Sequence, residues 1–266
     1  MNTTTSSKRR RGIIAGRAGA TGTRKARRIS TRRVRSIFRK EMRDYRRNGH
    51  IVATMIILPL IFVIPPLINI FALSAQSAIA LGHEDPLLYL LGIPALVPAT
   101  ISAFSVVGER QQGTLEPVLS TPIRRQEFVL GKALAALVPS VVVAYFVYAL
   151  TVLAIAILAN PAVASALLQS QDVLAQLAFT PLLAIWSIWL GIAISTRSSD
   201  VRVAQQLGTL ANLPSVIVVA LIAYNVIHPS ARLALAAAVL LLFLDVAGWR
   251  LASAIFGRER LIIGAK

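Results

Sequence analysis

ALAALVPSVVVAYFVYALTVLAIAIL, residues 133–158, runs for 26 residues without one charged side chain. As a helix it would reach about 39 Å at 1.5 Å per residue, more than the roughly 30 Å of hydrocarbon in a bilayer. Lipid is therefore its solvent. Four other runs repeat its character: Ile51 to Ala75, Leu87 to Val107, Val173 to Ser195 and Val203 to Ile227. A sixth, Leu233 to Phe256, is interrupted only by Asp245 and Arg250. The expected fold is an all-α membrane protein with six transmembrane helices.

Composition agrees, because 56% of the 266 residues are hydrophobic and 15% charged, outside the usual mix of a soluble domain. The formal net charge of +17 is concentrated at one end: 17 of the 28 Lys and Arg lie in residues 1–50, and beyond them eleven bases nearly cancel nine acids. A basic arm of this kind could bind nucleic acid, yet it has little interleaved aromatic character and leads straight into an apolar run. Attraction to anionic lipid accounts for it better, so membrane lipid is the expected partner and nucleic acid is not. The absence of cysteine excludes disulfides and thiolate metal sites.

Residues 1–29 mix Ser, Thr, Gly and Arg without an apolar period, which predicts a disordered basic tail ahead of a membrane domain over 30–266. The first hydrophobic run starts only at Ile51 and is too long for the core of a cleaved signal. Between Ser30 and Asn48, Val34, Ile37, Phe38, Met42 and Tyr45 recur at helical spacing among Arg and Lys. That pattern predicts an amphipathic helix lying flat on the membrane, stopped by Asn48 and Gly49.

Lys and Arg are retained on the cytoplasmic side of short loops. Placing the N-terminus inside puts the arm, Arg110, Arg124, Arg125, Arg197, Arg202, Arg258, Arg260 and Lys266 inside, and leaves Arg232 alone outside with Glu84, Asp85 and Asp172. Both ends are thus expected in the cytoplasm. Pro59, Pro65, Pro66, Pro94, Pro98, Pro139, Pro181 and Pro214 fall within spans, where they either break helices along a path or reflect the ordinary frequency of proline in membranes.

The most informative inner segment is GERQQGTLEPVLSTPIRRQEFVLGK, residues 108–132. Thr114 can cap a short helix with Glu116 and Pro117 in its first turn and Leu115, Val118 and Leu119 as an apolar face. Thr121 and Pro122 would launch the next helix. Such a two-turn helix either docks in a partner's cleft or tucks its face against the inner leaflet.

This segment resembles the signature of type-2 ABC transporter permeases, with its acidic residue, Gly-Thr-Leu-Glu, Thr-Pro and Gly-Lys at the family's spacing. STRSSDVRVAQQLGTLANLP (195–214) and FGRERL (256–261) are similar to that family too. The resemblance implies the membrane subunit of an exporter in the plasma membrane of a prokaryote. Two permease chains, identical or homologous, would pair above two ATPase subunits, which hold the ATP and Mg. It implies a coupling helix at Gly113 to Ser120, with Glu109, Arg110, Thr114, Leu115, Glu116, Val118, Leu119, Thr121 and Pro122 in the coupling segment. Arg197, Asp200 and Arg202 would form a second cytoplasmic contact.

No G-x-x-x-x-G-K-[ST] motif occurs in the sequence, so ATP is expected on another chain and no cofactor or metal on this one. Lys132 follows Gly131 but sits at the base of a membrane helix, which makes it no phosphate loop. Asp245 is expected to face protein or water, as an interhelical hydrogen-bonding group or as an ion relay. A secondary transporter or channel would use Asp245 for ion coupling, but would need more intramembrane ionisable groups than this. An intramembrane enzyme would need a paired nucleophile and base, and none is found. His83, Glu84 and Asp85 offer too few ligands for a metal. Tyr145, Tyr148, Trp186, Trp189 and Trp249 either mark interfacial belts, the default, or line a pore, and Asn69, Gln176 and Asn212 are expected more as interhelical glue than as substrate contacts.

Overall fold

The computed structural model describes residues 29–72, 85–113 and 124–263, and every regular element among them is helical. The elements are α1 (Thr31–Arg47), α2 (Gly49–Ala72), a 3-10 turn (Pro86–Leu91), α3 (Gly92–Gln111), α4 (Arg125–Leu158), α5 (Pro161–Leu167), α6 (Ser170–Arg197), α7 (Val201–Ala223) and α8 (Ala231–Ile263). Six of these stretches are long and apolar enough to cross a membrane: α2, the 3-10 turn with α3, α4, α6, α7 and α8. Inside a bilayer only helices satisfy their own backbone groups, so continuous apolar sequence and helix coincide.

The predicted bounds need correction at the start of the third long helix and at the ends of the fifth and last. The third long helix begins at Arg125, eight residues before the apolar run, because Glu127 accepts from the Arg124 backbone N–H at 3.1 Å and caps the first turn. The cap of this helix is Arg124, and the expected launch at Thr121 and Pro122 lies outside the described residues. The fifth span stops at Ala223, where Tyr224 and an Asn225 with φ of 53° turn the chain. The last helix runs on to Ile263 through the charged RERL. The amphipathic helix spans Thr31–Arg47, closed by Asn48 as read from the sequence.

α3 is the centre of the bundle. From Gly92 to Glu109 every residue except Phe104 is buried, and α2, α4, α6 and α7 all pack on it. Close approach is achieved through small residues, most tightly at Gly191 of α6, where an added Cβ would run into Ser102 Oγ and stand 2.7 Å from the Ala99 carbonyl oxygen. The sheathing helices turn apolar side chains outward instead, such as Ile57, Ile61, Val142, Phe146, Leu210 and Phe243. This inversion suits a lipid solvent.

Two aromatic expectations are overturned. Trp189 and Tyr148 are 7% and 8% exposed, in the core and not in a belt. The Trp189 ring packs edge-on against Trp249 at 5.5 Å between centroids, a favourable geometry for two π-systems. Gln176 and Asn212 bond within their own helices, to Thr180 Oγ1 at 3.1 Å and the Gly208 carbonyl at 2.9 Å, and not to a neighbouring helix.

Candidate functional site

One end of the bundle gathers α1, the last turn of α3, the first turns of α4 and the turn between α6 and α7. The short link Asn48 forces α1 to fold back beside the start of α2, and its buried stripe Val34, Ile37, Glu41 and Tyr45 then meets α4. Gly131 makes that contact possible: a Cβ there would lie 2.7 Å from Ile37 Cγ2. Lys132, next along, is 1% exposed.

Its ammonium is held by three oxygens from two other helices. Lys132 Nζ lies 2.9 Å from Glu41 Oε1 of α1, 3.2 Å from Glu109 Oε2 of α3, and donates to the Ser105 carbonyl at 2.7 Å. The Phe128 ring lies beneath it, 4.9 Å from Nζ to centroid. Lys40 closes the cluster by donating to the other oxygen of Glu109. A buried ion needs partners on this scale, since removing one leaves uncompensated charge worth several kcal/mol, about 3–5. Burial raises the Glu41 carboxyl above its ordinary range; the Lys132 charge opposes this and the Glu109 charge adds to it. Burial depresses the Lys40 ammonium, but its bond to Glu109 and the surrounding carboxylates outweigh that and raise it overall.

Glu127 performs the same service at the start of α1. It accepts from the Ser30 amide at 2.8 Å and from Arg33 Nη1 at 3.3 Å while capping α4. Glu41, Glu127 and Lys132 were not singled out as site residues from the sequence. Glu41 had a visible signal, a carboxylate four residues from Ile37 and from Tyr45 on the apolar stripe. Lys132 had one also, as a cation inside the apolar start of a span.

Arg110 joins the end of α3 to the α6–α7 turn, through neighbours of the candidates Arg197, Asp200 and Arg202 and not through those residues themselves. Arg110 donates through Nη1 to the Ser198 carbonyl at 3.1 Å and through Nη2 to the Thr196 carbonyl at 3.1 Å. Helix C-terminal carbonyls are natural acceptors for a guanidinium. Gln111 adds a bond to the Ser199 carbonyl at 3.4 Å. Asp200 caps α7, accepting from the Arg202 amide at 2.6 Å, and Arg197 and Arg202 project outward, exposed. Glu109, in contrast, is turned inward to the lysines. Gly113 has φ of 67°, a left-handed turn that suits glycine and ends α3. Thr114, Leu115, Glu116, Val118, Leu119, Thr121 and Pro122 lie outside the described residues.

Deeper in the same region Ser195 of α6 reaches into α3, where its hydroxyl donates to the Ala103 carbonyl and accepts from the amides of Val106 at 3.2 Å and Val107 at 3.0 Å. It thus engages both ends of one rung of the α3 ladder, two residues before Glu109.

Asp245 stands apart from this end. It is 8% exposed on α8, and its carboxylate oxygens have no hydrogen-bond partner among the described residues. Among those residues no group of three His, Cys, Asp or Glu could hold a metal ion.

A model of the ABC-2 family transporter proteins matches residues 35–248, from the first turns of α1 to the middle of α8. No curated protein matches the chain.

Proposed function

Because this chain belongs to the ABC-2 transporter family, we propose that it is the permease half of an ATP-driven exporter, worked by separate ATPase subunits bound at the end that carries α1. The observation that carries this reading is the Arg110 clasp. It ties the end of α3, from which the 114–123 segment leaves, to the α6–α7 turn, so a push at either is felt by both. Lys132 and Glu127 extend the same body to α1 and α4, and Ser195 passes it into the central helix. A docked ATPase would then move a unit and not a loop.

The permease works as a pair. Among the described residues α3, packed by α2, α4, α6 and α7, fills the middle of one chain's bundle, which supports a path between two copies or two homologous chains. The basic end lies in the cytoplasm by the distribution of Lys and Arg, where ATP is available to the partner. Residues 114–120 supply the apolar peg for that partner's cleft.

The test is co-purification. The triple change Leu115→Asp, Val118→Asp and Leu119→Asp abolishes recovery of an ATPase with the chain while leaving membrane insertion intact; undiminished recovery sinks the assignment. Sidedness is separately measurable, since the chain has no cysteine and single cysteines at 113 and 229 report from opposite faces.

A further inference from the structure

α1 carries eight Lys and Arg, and only some of them are used by the bundle. Arg33 pairs with Glu127 and Lys40 with Glu109. Arg32, Arg35, Arg39 and Arg43 do not pair at all among the described residues; all four are exposed, and with Ser36 and Lys40 they line a concavity of about 340 Å³. Their spacing of three, four and four residues makes one stripe about 17 Å long on a helix.

The depth of that stripe is set by what holds α1. Asn48 alone separates it from α2, and Glu127, Gly131 and Lys132 pin it against the first two turns of α4. Both neighbours are apolar from this point onward, so α1 lies along the plane where the spans leave hydrocarbon. Going around the helix by 100° per residue, Phe38 and Met42, packed on the core on one side and half-exposed on the other, fall between the bundle-facing stripe and the arginines. A greasy flank followed by a cationic one is the arrangement of an interfacial helix. In that layer the abundant anions are phosphates of acidic phospholipids, and a guanidinium fork grips phosphate in two places.

We infer that Arg32, Arg35, Arg39 and Arg43 form a binding face for the phosphates of anionic phospholipid in the leaflet that holds α1. This goes beyond the transport reading and does not depend on it: the face clamps α1 in the plane of the headgroups, whichever partner drives the chain.

The test uses the full chain in a neutral detergent, with thermal denaturation followed as phosphatidylglycerol or phosphatidylcholine is added. Phosphatidylglycerol raises the midpoint and phosphatidylcholine does not. The response shrinks between about 0.05 and 0.5 M salt, as charge screening requires. Changing Arg35, Arg39 and Arg43 together to Gln raises the phosphatidylglycerol concentration needed by about tenfold or more, whereas changing Arg9, Arg10 and Arg11 to Gln, which removes the same charge, has no such effect. The Lys triple at 35, 39 and 43 keeps most of the response and serves if the Gln triple fails to fold. A parent indifferent to headgroup, an undiminished response in the Gln triple, an equal loss in the tail variant, or a shift reproduced by inorganic phosphate alone would each overturn the inference. So would a Gln triple that keeps its lipid response but loses a co-purifying ATPase, which would make the stripe a protein-docking face.

Discussion

The hydroxyl of Ser195 on α6 accepts from the amide of Val107 on α3 at 3.0 Å, so a side chain of one helix shares a rung of another helix's ladder. Side chains that enter a ladder mark places where a helix can bend. Here the place is the Ala103–Val107 rung, about one turn before the end of α3. Ser195→Ala lowers the stability of the purified chain by about 1 kcal/mol, the net worth of one hydrogen bond. On the proposed reading, in a complex with the ATPase the variant uncouples ATP hydrolysis from transport more than it lowers stability. Thermal melting and the ratio of ATP consumed to cargo moved measure the two; equal losses in both would show Ser195 to be structural only.

Lys132→Met takes the close cation from the buried Glu41 carboxylate, while Glu109 keeps Lys40, and costs about 3–5 kcal/mol. Adding Glu41→Gln to it recovers part of the loss, because the stranded charge is gone. A double-mutant cycle on the melting midpoint reads the coupling. Strict additivity would show that the ion pair contributes nothing.

Gly191 and Gly208 both face α3, yet they differ in tolerance. A Cβ at 191 would stand 2.7 Å from backbone at Ala99, which cannot swing aside, whereas one at 208 finds its nearest atoms at 3.6 Å. Gly191→Ala therefore separates α6 from α3 and reduces the monodisperse fraction on size exclusion, and Gly208→Ala leaves it unchanged. The reverse order would contradict this helix packing.

Arg110→Lys keeps the charge but loses the fork that reaches both Thr196 and Ser198 carbonyls. On the proposed reading, stimulation of the ATPase by this chain falls several-fold in the variant, while the two still co-purify. Full stimulation would remove Arg110 from the coupling unit.

The pH dependence follows from Lys40. Its folded pKa is raised above the ordinary 10.5, so its contribution is complete below 10.5 and is lost as pH climbs through the higher folded value. Melting midpoints of the parent and Lys40→Met therefore differ by a constant amount at neutral pH and converge above 10.5. A gap that persists into that alkaline window would mean the ammonium is not what stabilises the contact.

Much of this fold was legible because lipid imposes one rule, that apolar length makes a helix, and residues 133–158 obey it without exception. What escaped was the interior. Trp189 goes into the core against Trp249 of α8, and Tyr148 joins the same core cluster; hydropathy does not report which side of an all-apolar helix meets lipid. Lys132 escaped for a related reason: alone it is a misplaced cation, and only the return of α1 brings Glu41 beneath it. The two loop contacts were legible as residues but not as a pair, since Arg110 and Ser198 are 88 positions apart.

The enclosure of α3 also bears on how the chain is made. α6 and α7, which later cover it, begin 78 and 109 residues after the start of α3, so a newly synthesised α3 must wait in lipid with Thr100, Ser102 and Ser105 uncovered. Each of those hydroxyls donates to a carbonyl three residues back in its own helix, at 2.8, 3.2 and 2.6 Å. None needs a neighbour to be satisfied. The helix is thereby fit to sit alone in the bilayer during synthesis, and its later partners are required for assembly but not for insertion.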